Sequence, residues 1–194
     1  FATGAVRWER ELHSAAPGIA RHIKNSFASE TPVTDGRRVY VYFGSAGVVG
    51  ALNMSGETVW LTDLGAYETT GGFGSAASPT LHGDRLYVVN DNVRQSFMVA
   101  LDKNNGEELW RVERQERGQN WATPFVWENE VRTEIVTAGT QGVRSYDLDG
   151  TLLWEIHGTS ATNRGGGASP VGRPGKKFSK MKQFLPSSYV FLPK

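Results

Sequence analysis

The chain has 194 residues, a formal net charge of +1 and no cysteine. Its 39% apolar and 21% charged content is ordinary for a globular domain, and the near-neutral balance gives no electrostatic case for nucleic acid or an anionic membrane. Disulfides and thiolate chemistry are excluded, and no run of 18 apolar residues exists to cross a bilayer as a helix.

In chain order, residues 1–12 read as the last turn and strand of a unit, with Gly4 followed by Trp8. A helix-like pattern over Arg7–His13 overlaps that strand and is set aside. A complete unit over about 28–66 carries TPVTDGRRVYVYFG and then ALNMSGETVW. The unit over about 76–114 shows the plan best. Pro79-Thr80 open an edge-type strand, where a missing N–H does little harm. His82-Gly83-Asp84 supply a turn, Leu86–Val89 an apolar strand, Asn90–Ser96 a polar loop and Phe97–Leu101 a third strand. Lys103-Asn104-Asn105-Gly106 form a hairpin turn, and a fourth strand alternates around Trp110. A third unit spans about 121–158 and a partial one starts at 168. Residues 173–194 depart from the plan as a basic tail, with five Lys and Arg between Arg173 and Lys182.

Two markers keep time along these units. Trp8, Trp60, Trp110 and Trp154 each follow a glycine by four residues: Gly4, Gly56, Gly106 and Gly150. Out of phase with them run Thr31-Pro32, Ser78-Pro79, Thr123-Pro124 and Ser169-Pro170, whose prolines lie 47, 45 and 46 residues apart. Independent markers sharing one period denote an array, and short strands at this spacing denote an all-β propeller of four-stranded antiparallel blades. The Ser/Thr-Pro strand is expected innermost and the tryptophan strand outermost.

Ala100, Asp102, Gly106 and Trp110 match the A-x-D-x-x-x-G-x-x-x-W repeat. Ala51, Asn53, Gly56 and Trp60, and Ser145, Asp147, Gly150 and Trp154, are copies one residue shorter. The pattern resembles the quinoprotein-type (PQQ-binding-like) β-propeller repeat over about residues 1–172. That resemblance implies that each tryptophan docks against the glycine turn of a neighbouring blade, so that Gly56, Trp60, Gly106, Trp110, Gly150 and Trp154 are structural. It also implies that about four blades are present, as part of a seven- or eight-bladed ring. Closure at four blades is the alternative, with Ala168–Gly172 completing the unit begun at Thr3–Glu9. WD40 repeats fit less well within this WD40/YVTN-like class, because no Gly-His and Trp-Asp pair recurs.

Ligand sites in propellers sit on loops at one mouth of the channel. The segments ahead of each Ser/Thr-Pro supply Lys24, Asn25, Asn120, Trp121, Asn163 and Arg164 as candidates, suited to an anionic or amide-rich ligand. The blander reading of the same residues is solvated loop and local turn bonding. No metal site is expected. His13, His22, His82 and His157 lack ligand spacing, and the Asp147 run has Gly158 where a calcium loop closes on an acid.

The resemblance leaves two functional classes. One is a non-catalytic scaffold like the outer-membrane assembly lipoprotein propeller, without cofactor, periplasmic or secreted, with protein or small-molecule partners and the remaining blades of a longer chain. The other is part of a quinoprotein dehydrogenase using PQQ and calcium. The absence of cysteine favours the scaffold, because the enzymes typically carry an adjacent cysteine pair beside the quinone.

Overall fold

The computed structural model describes residues 3–14, 22–116, 118, 120–157 and 192–193. Three antiparallel sheets follow one another along the chain. Blade 1 holds β1 (Val33–Thr34), β2 (Arg38–Phe43), β3 (Val48–Asn53) and β4 (Thr58–Asp63). Blade 2 holds β5 (Thr80–His82), β6 (Arg85–Asn90), β7 (Phe97–Asp102) and β8 (Glu108–Glu113). Blade 3 holds β9 (Phe125–Glu128), β10 (Thr133–Ala138), β11 (Gly142–Tyr146) and β12 (Leu152–His157), and β13 (Leu192–Pro193) pairs along the outer side of β12. A single 3₁₀ turn at Thr70–Gly72 is the only helical element among the described residues. This is the expected all-β blade architecture. Residues 3–14 form no strand, having no ladder partner among the described residues.

Blade 2 shows why the middle strands read as unbroken apolar runs. Side chains alternate across a strand, so a sheet packed on both faces needs apolar residues at odd and even positions alike. Leu86, Val88, Phe97, Val99 and Leu101 face blade 1 and pack with Tyr40, Val49 and Trp60. Tyr87, Val89, Met98 and Ala100 face blade 3 and pack with Ile135 and Tyr146. Each such aliphatic or aromatic side chain contributes about 1.5–3 kcal/mol through burial. The outer strands β4 and β8 alternate between exposed and covered positions, as edges of a half-wet sheet do.

The repeat motif acquires a physical meaning at each position. Ala51, Ala100 and Ser145 lie directly across the ladder from Trp60, Trp110 and Trp154, where a small side chain leaves room for the indole. Asn53, Asp102 and Asp147 cap the following turn. Asn53 Oδ1 accepts from Ser55 N (2.9 Å) and Glu57 N (3.0 Å), and Asp147 Oδ1 accepts from Asp149 N and Thr151 N. Gly106 has φ +76°, and a Cβ there would lie 2.5 Å from the Trp60 ring. Gly150 stands in the same relation to Trp110, at 3.0 Å, and Gly56 to Trp8, at 2.6 Å. The indole N–H groups of Trp8, Trp60 and Trp110 donate to Met54 O, Lys103 O and Leu148 O of the turns on which they lie.

The other marker holds the inner strands. Successive inner strands β1, β5 and β9 are neighbours. The hydroxyls of Ser78 and Thr123 each accept the backbone N–H of the counterpart one blade earlier: Thr31 N to Ser78 Oγ (2.8 Å) and Ser78 N to Thr123 Oγ1 (3.1 Å). Proline follows because it keeps the short strand extended, while the hydroxyl supplies the bond between blades.

Closure at four blades would place Trp154 on Gly4, as Trp110 lies on Gly150. Nothing described lies within 4 Å of the Cβ position at Gly4, so Trp154 does not dock there. Trp127, which stands outside the ladder, is as buried as Trp60, at 8% exposure for each. It is part of the core.

Candidate functional site

The hairpin turns and the docked tryptophans occupy one side of the array. The connections between blades share the other side with the loops inside blades: Val93 N donates to Glu68 O and Gly118 N to Asn92 O. There His22, Lys24, Asn25, Phe73, Ala76 and Trp121 line a cavity of about 280 Å³. Phe73 is central. His22 stacks on it at 4.6 Å between centroids, and Trp121 meets it edge-on at 6.1 Å.

Backbone bonds hold these side chains in place. His22 N donates to Gly72 O (2.7 Å), and Trp121 Nε1 donates to Gly74 O (3.0 Å), tying the approach to blade 3 onto the glycine loop before blade 2. Asn25 Nδ2 donates to Phe73 O, while its Oδ1 accepts from Ser26 N and Ser29 Oγ. Gly74 is required beneath: φ is +80°, and a Cβ would lie 2.7 Å from Asn25 Nδ2. Lys24 is exposed at the rim, beside Ile23 at 87% exposure.

On the same loop side the blades meet at two dissimilar seams. Between blades 1 and 2, Glu30 accepts from Ser75 Oγ and Gly44 N, and its Oε2 has no hydrogen-bond partner among the described residues. Burial pushes its carboxyl above the ordinary 4.5, against the lowering effect of Ser75. Asn90 Nδ2 donates to the buried Tyr42 hydroxyl (2.7 Å) on the same seam.

Between blades 2 and 3 the chemistry is ionic. Arg114 meets Asp91 through both Nε and Nη2 (2.8 and 3.1 Å), with both side chains essentially inaccessible, and reaches Thr137 Oγ1 of blade 3 at 2.6 Å. Burial opposes the charge on Arg114, but Asp91 outweighs it and its proton is held more tightly than usual. Glu116 pairs with Arg144 of blade 3 and accepts from Thr140 Oγ1 (2.7 Å) and Gln141 N (3.0 Å). Burial pushes Glu116 up, yet the bonds from Thr140 and Arg144 prevail and hold its carboxyl below 4.5.

Residues 45–181 match a family model described as outer membrane protein assembly factor BamB. The chain belongs to this family. Its fold is similar to the crystal structure of BamB from Moraxella catarrhalis, with 18% identity and a TM-score of 0.53 over 71% of this chain and 41% of that one. It is also similar to quinohemoprotein alcohol dehydrogenase from Comamonas testosteroni, with 21% identity and a TM-score of 0.54 over 71% and 21% of the two chains. The chain spans less than half of either structure, and at these identities the likeness shows the PQQ-like propeller fold alone. No curated protein matches.

Of the residues singled out from the sequence, Lys24, Asn25 and Trp121 meet at this cavity. Asn120, beside Trp121, turns inward instead. It is 3% exposed and donates to Asp91 Oδ2 (2.8 Å) and Ala138 O. Asn163 and Arg164, the unit from 168 and the tail from 173 to 191 lie outside the described residues. Sequence reasoning passed over Phe73, Asp91, Arg114, Glu116 and Arg144. The last four sit in loops and strands at positions that do not recur from blade to blade, so periodicity carried no signal for them.

Proposed function

We propose that the chain is part of a non-catalytic BamB-family propeller that binds a partner at its loop-side mouth. The observation that carries this reading is the aromatic cavity of His22, Phe73 and Trp121 with the Lys24 ammonium at its rim. Rigid aromatic walls give contact area at low entropic cost, and one exposed cation selects an anionic group at the edge. The ligand class is therefore an acidic segment or small anion bearing an apolar or planar group. Lys24, Asn25 and Trp121 are its contacts within the described chain, and Asn163 and Arg164 are proposed for the same rim.

The blades are proposed to span about 28–66, 76–114 and 121–158, with partial units at 1–12 and from 168 and a divergent tail over 173–194, in a ring of seven or eight completed by further blades. The family's description supports an envelope location, periplasmic or secreted.

The second reading, a quinoprotein dehydrogenase, rests on the likeness to the Comamonas enzyme. Its calcium needs several oxygen ligands together, and among the described residues no such cluster of acidic or histidine groups exists. Asp91 and Glu116, the most buried carboxylates of the loop side, are each committed to an arginine.

Titrating short acidic and basic peptides, each with one aromatic residue, against Trp121 fluorescence tests the proposal. Acidic peptides are expected to saturate the signal, and Lys24→Glu to weaken them about tenfold, roughly the 1.4 kcal/mol of one charge-assisted contact. Equal responses to both peptide classes would refute the assignment of Lys24. Saturable stabilisation by PQQ with calcium would favour the enzyme instead.

A further inference from the structure

The glycine of each docking turn follows a different residue: Ser55 before Gly56, Asn105 before Gly106 and Asp149 before Gly150. Asn105-Gly106 is the only Asn-Gly pair in the chain. Asparagine is a chemically labile residue, and a following glycine leaves its carboxamide open to attack by the next backbone nitrogen, because no side chain stands in the way. Here the electrophile is already in position. Asn105 is exposed to water, and its Oδ1 accepts the Glu107 N–H (3.0 Å), an Asx-turn that folds the carboxamide back over the Gly106 nitrogen.

The nucleophile is held back. Gly106 N donates to Asp102 O (2.8 Å), and three residues of blade 1 clamp the peptide units around it. The Trp60 ring covers Gly106 while its Nε1 donates to Lys103 O (2.9 Å). Thr62 Oγ1 donates to Gly106 O (2.7 Å), and Arg38 Nη1 to Lys103 O and Asn104 O, both at 3.1 Å. We propose that Asn105 is a self-modification site, deamidated through the Gly106 nitrogen with water as co-reactant, and that the docking of blade 1 on this turn governs the reaction. Once the Gly106 amide gives up its proton, the nitrogen attacks Asn105 Cγ. The N–Cγ bond forms, the Cγ–Nδ2 bond breaks, and ammonia leaves, taking up that proton. Water then opens the cyclic imide to aspartate or to isoaspartate, whose main chain runs through the side-chain carbon. Isoaspartate lengthens the turn by one methylene, so the Gly106 peptide no longer meets Trp60 as before. An opening of the seam between blades 1 and 2 is thereby recorded in the chain. The neighbouring turns keep no such record. Ser55 has no carboxamide, and Asp149 is a carboxylate paired with Arg85 (2.8 Å), which also donates to Leu148 O.

The proposal is independent of what binds at the mouth. Incubating the full chain in mildly basic buffer and following Asn105 by peptide mass spectrometry tests it, with a synthetic peptide of residues 102–108 as the unclamped reference. The chain is expected to react about tenfold more slowly than the peptide. Thr62→Val removes the bond to Gly106 O and is expected to raise the rate about threefold. Trp60→Phe keeps a ring, loses the bond to Lys103 O and is expected to act in the same direction, whereas Trp60→Ala brings the rate to that of the peptide. In the reacted chain the Trp60 indole N–H resonance is expected to move and that of Trp110 to stay. Equal rates in chain and peptide, rates in Thr62→Val and Trp60→Phe no faster than in the unaltered chain, or reaction at another asparagine before Asn105 would each overturn the proposal.

Discussion

The two sides of the array are held by different kinds of chemistry. On the turn side the same parts recur: a tryptophan over a glycine, its N–H on a turn carbonyl and, at two seams, an arginine beside it. On the loop side no two seams match. Blade 1 meets blade 2 there through Glu30, Ser75, Tyr42 and Asn90, whereas blade 2 meets blade 3 through the buried Glu116–Arg144 ion pair and through Arg114, which pairs with Asp91 of its own blade and reaches Thr137 of the next. Stacking needs only one solution, repeated, because radial repetition returns equivalent positions to equivalent surroundings. The loops are released from that constraint, and the cavity of His22, Phe73 and Trp121 lies among them.

Removing one partner of a buried ion pair leaves the other charge uncompensated, so Asp91→Ala is expected to have the largest effect. It should destabilise the fold by about 3–5 kcal/mol in denaturant unfolding. A cost below about 1 kcal/mol would mean that the buried pair contributes little, either to blade 2 itself or to the hold of Arg114 on Thr137 of blade 3. Trp110→Ala comes next, at about 3 kcal/mol, the low end for a large aromatic because its ring is only partly buried. Trp8→Ala should cost clearly less, since Trp8 is 38% exposed. Equal costs for the two would show that docking, not burial, sets the energy.

Gly106→Ala is expected to cost about 1–3 kcal/mol from backbone strain, and to disturb Trp60 fluorescence because the new Cβ meets that ring. Ser78→Ala removes one inner-strand bond and should cost about 1 kcal/mol.

Acid should separate the two loop-side seams. Glu116 is held below 4.5, so its contribution is present above that value and is lost as pH falls through its lowered midpoint. Glu30 is held above 4.5, so its contribution is complete at lower pH and is lost as pH rises from 4.5 through its raised midpoint. Hydrogen exchange between pH 3 and pH 6, about the span of ordinary carboxylate titration, should therefore show the seam after blade 2 loosening in acid and the seam after blade 1 tightening. Parallel responses would erase the distinction.

Much of the turn side was legible in the chain itself. Gly56, Gly106 and Gly150, each followed by tryptophan at a fixed interval, announced both the unit and the contact, because a repeated contact leaves a repeated residue. The hydroxyl before each proline was equally visible as a marker, but its bond to the previous blade was not, since the partner lies about one period away. On the loop side, Lys24, Asn25 and Trp121 were found by their place ahead of an inner strand. The same rule misdirected Asn120, whose side chain follows the pull of Asp91 and Ala138 rather than the direction of its neighbour.

The sequence by itself determined the blade: strands of period two, glycines where φ must be positive, a small residue opposite each indole, and the interval at which all of this returns. These are local requirements, and local requirements must be written in adjacent residues. Only the tertiary structure decided which charges meet. Asp91 and Arg114, 23 residues apart, meet where two strands of one sheet end, and Glu116 and Arg144, 28 apart, are brought together by the packing of one sheet on the next. It also decided that Glu134 accepts the Trp154 indole N–H within one blade. Burial makes such pairings strong, and burial is a property of the folded array rather than of any segment within it.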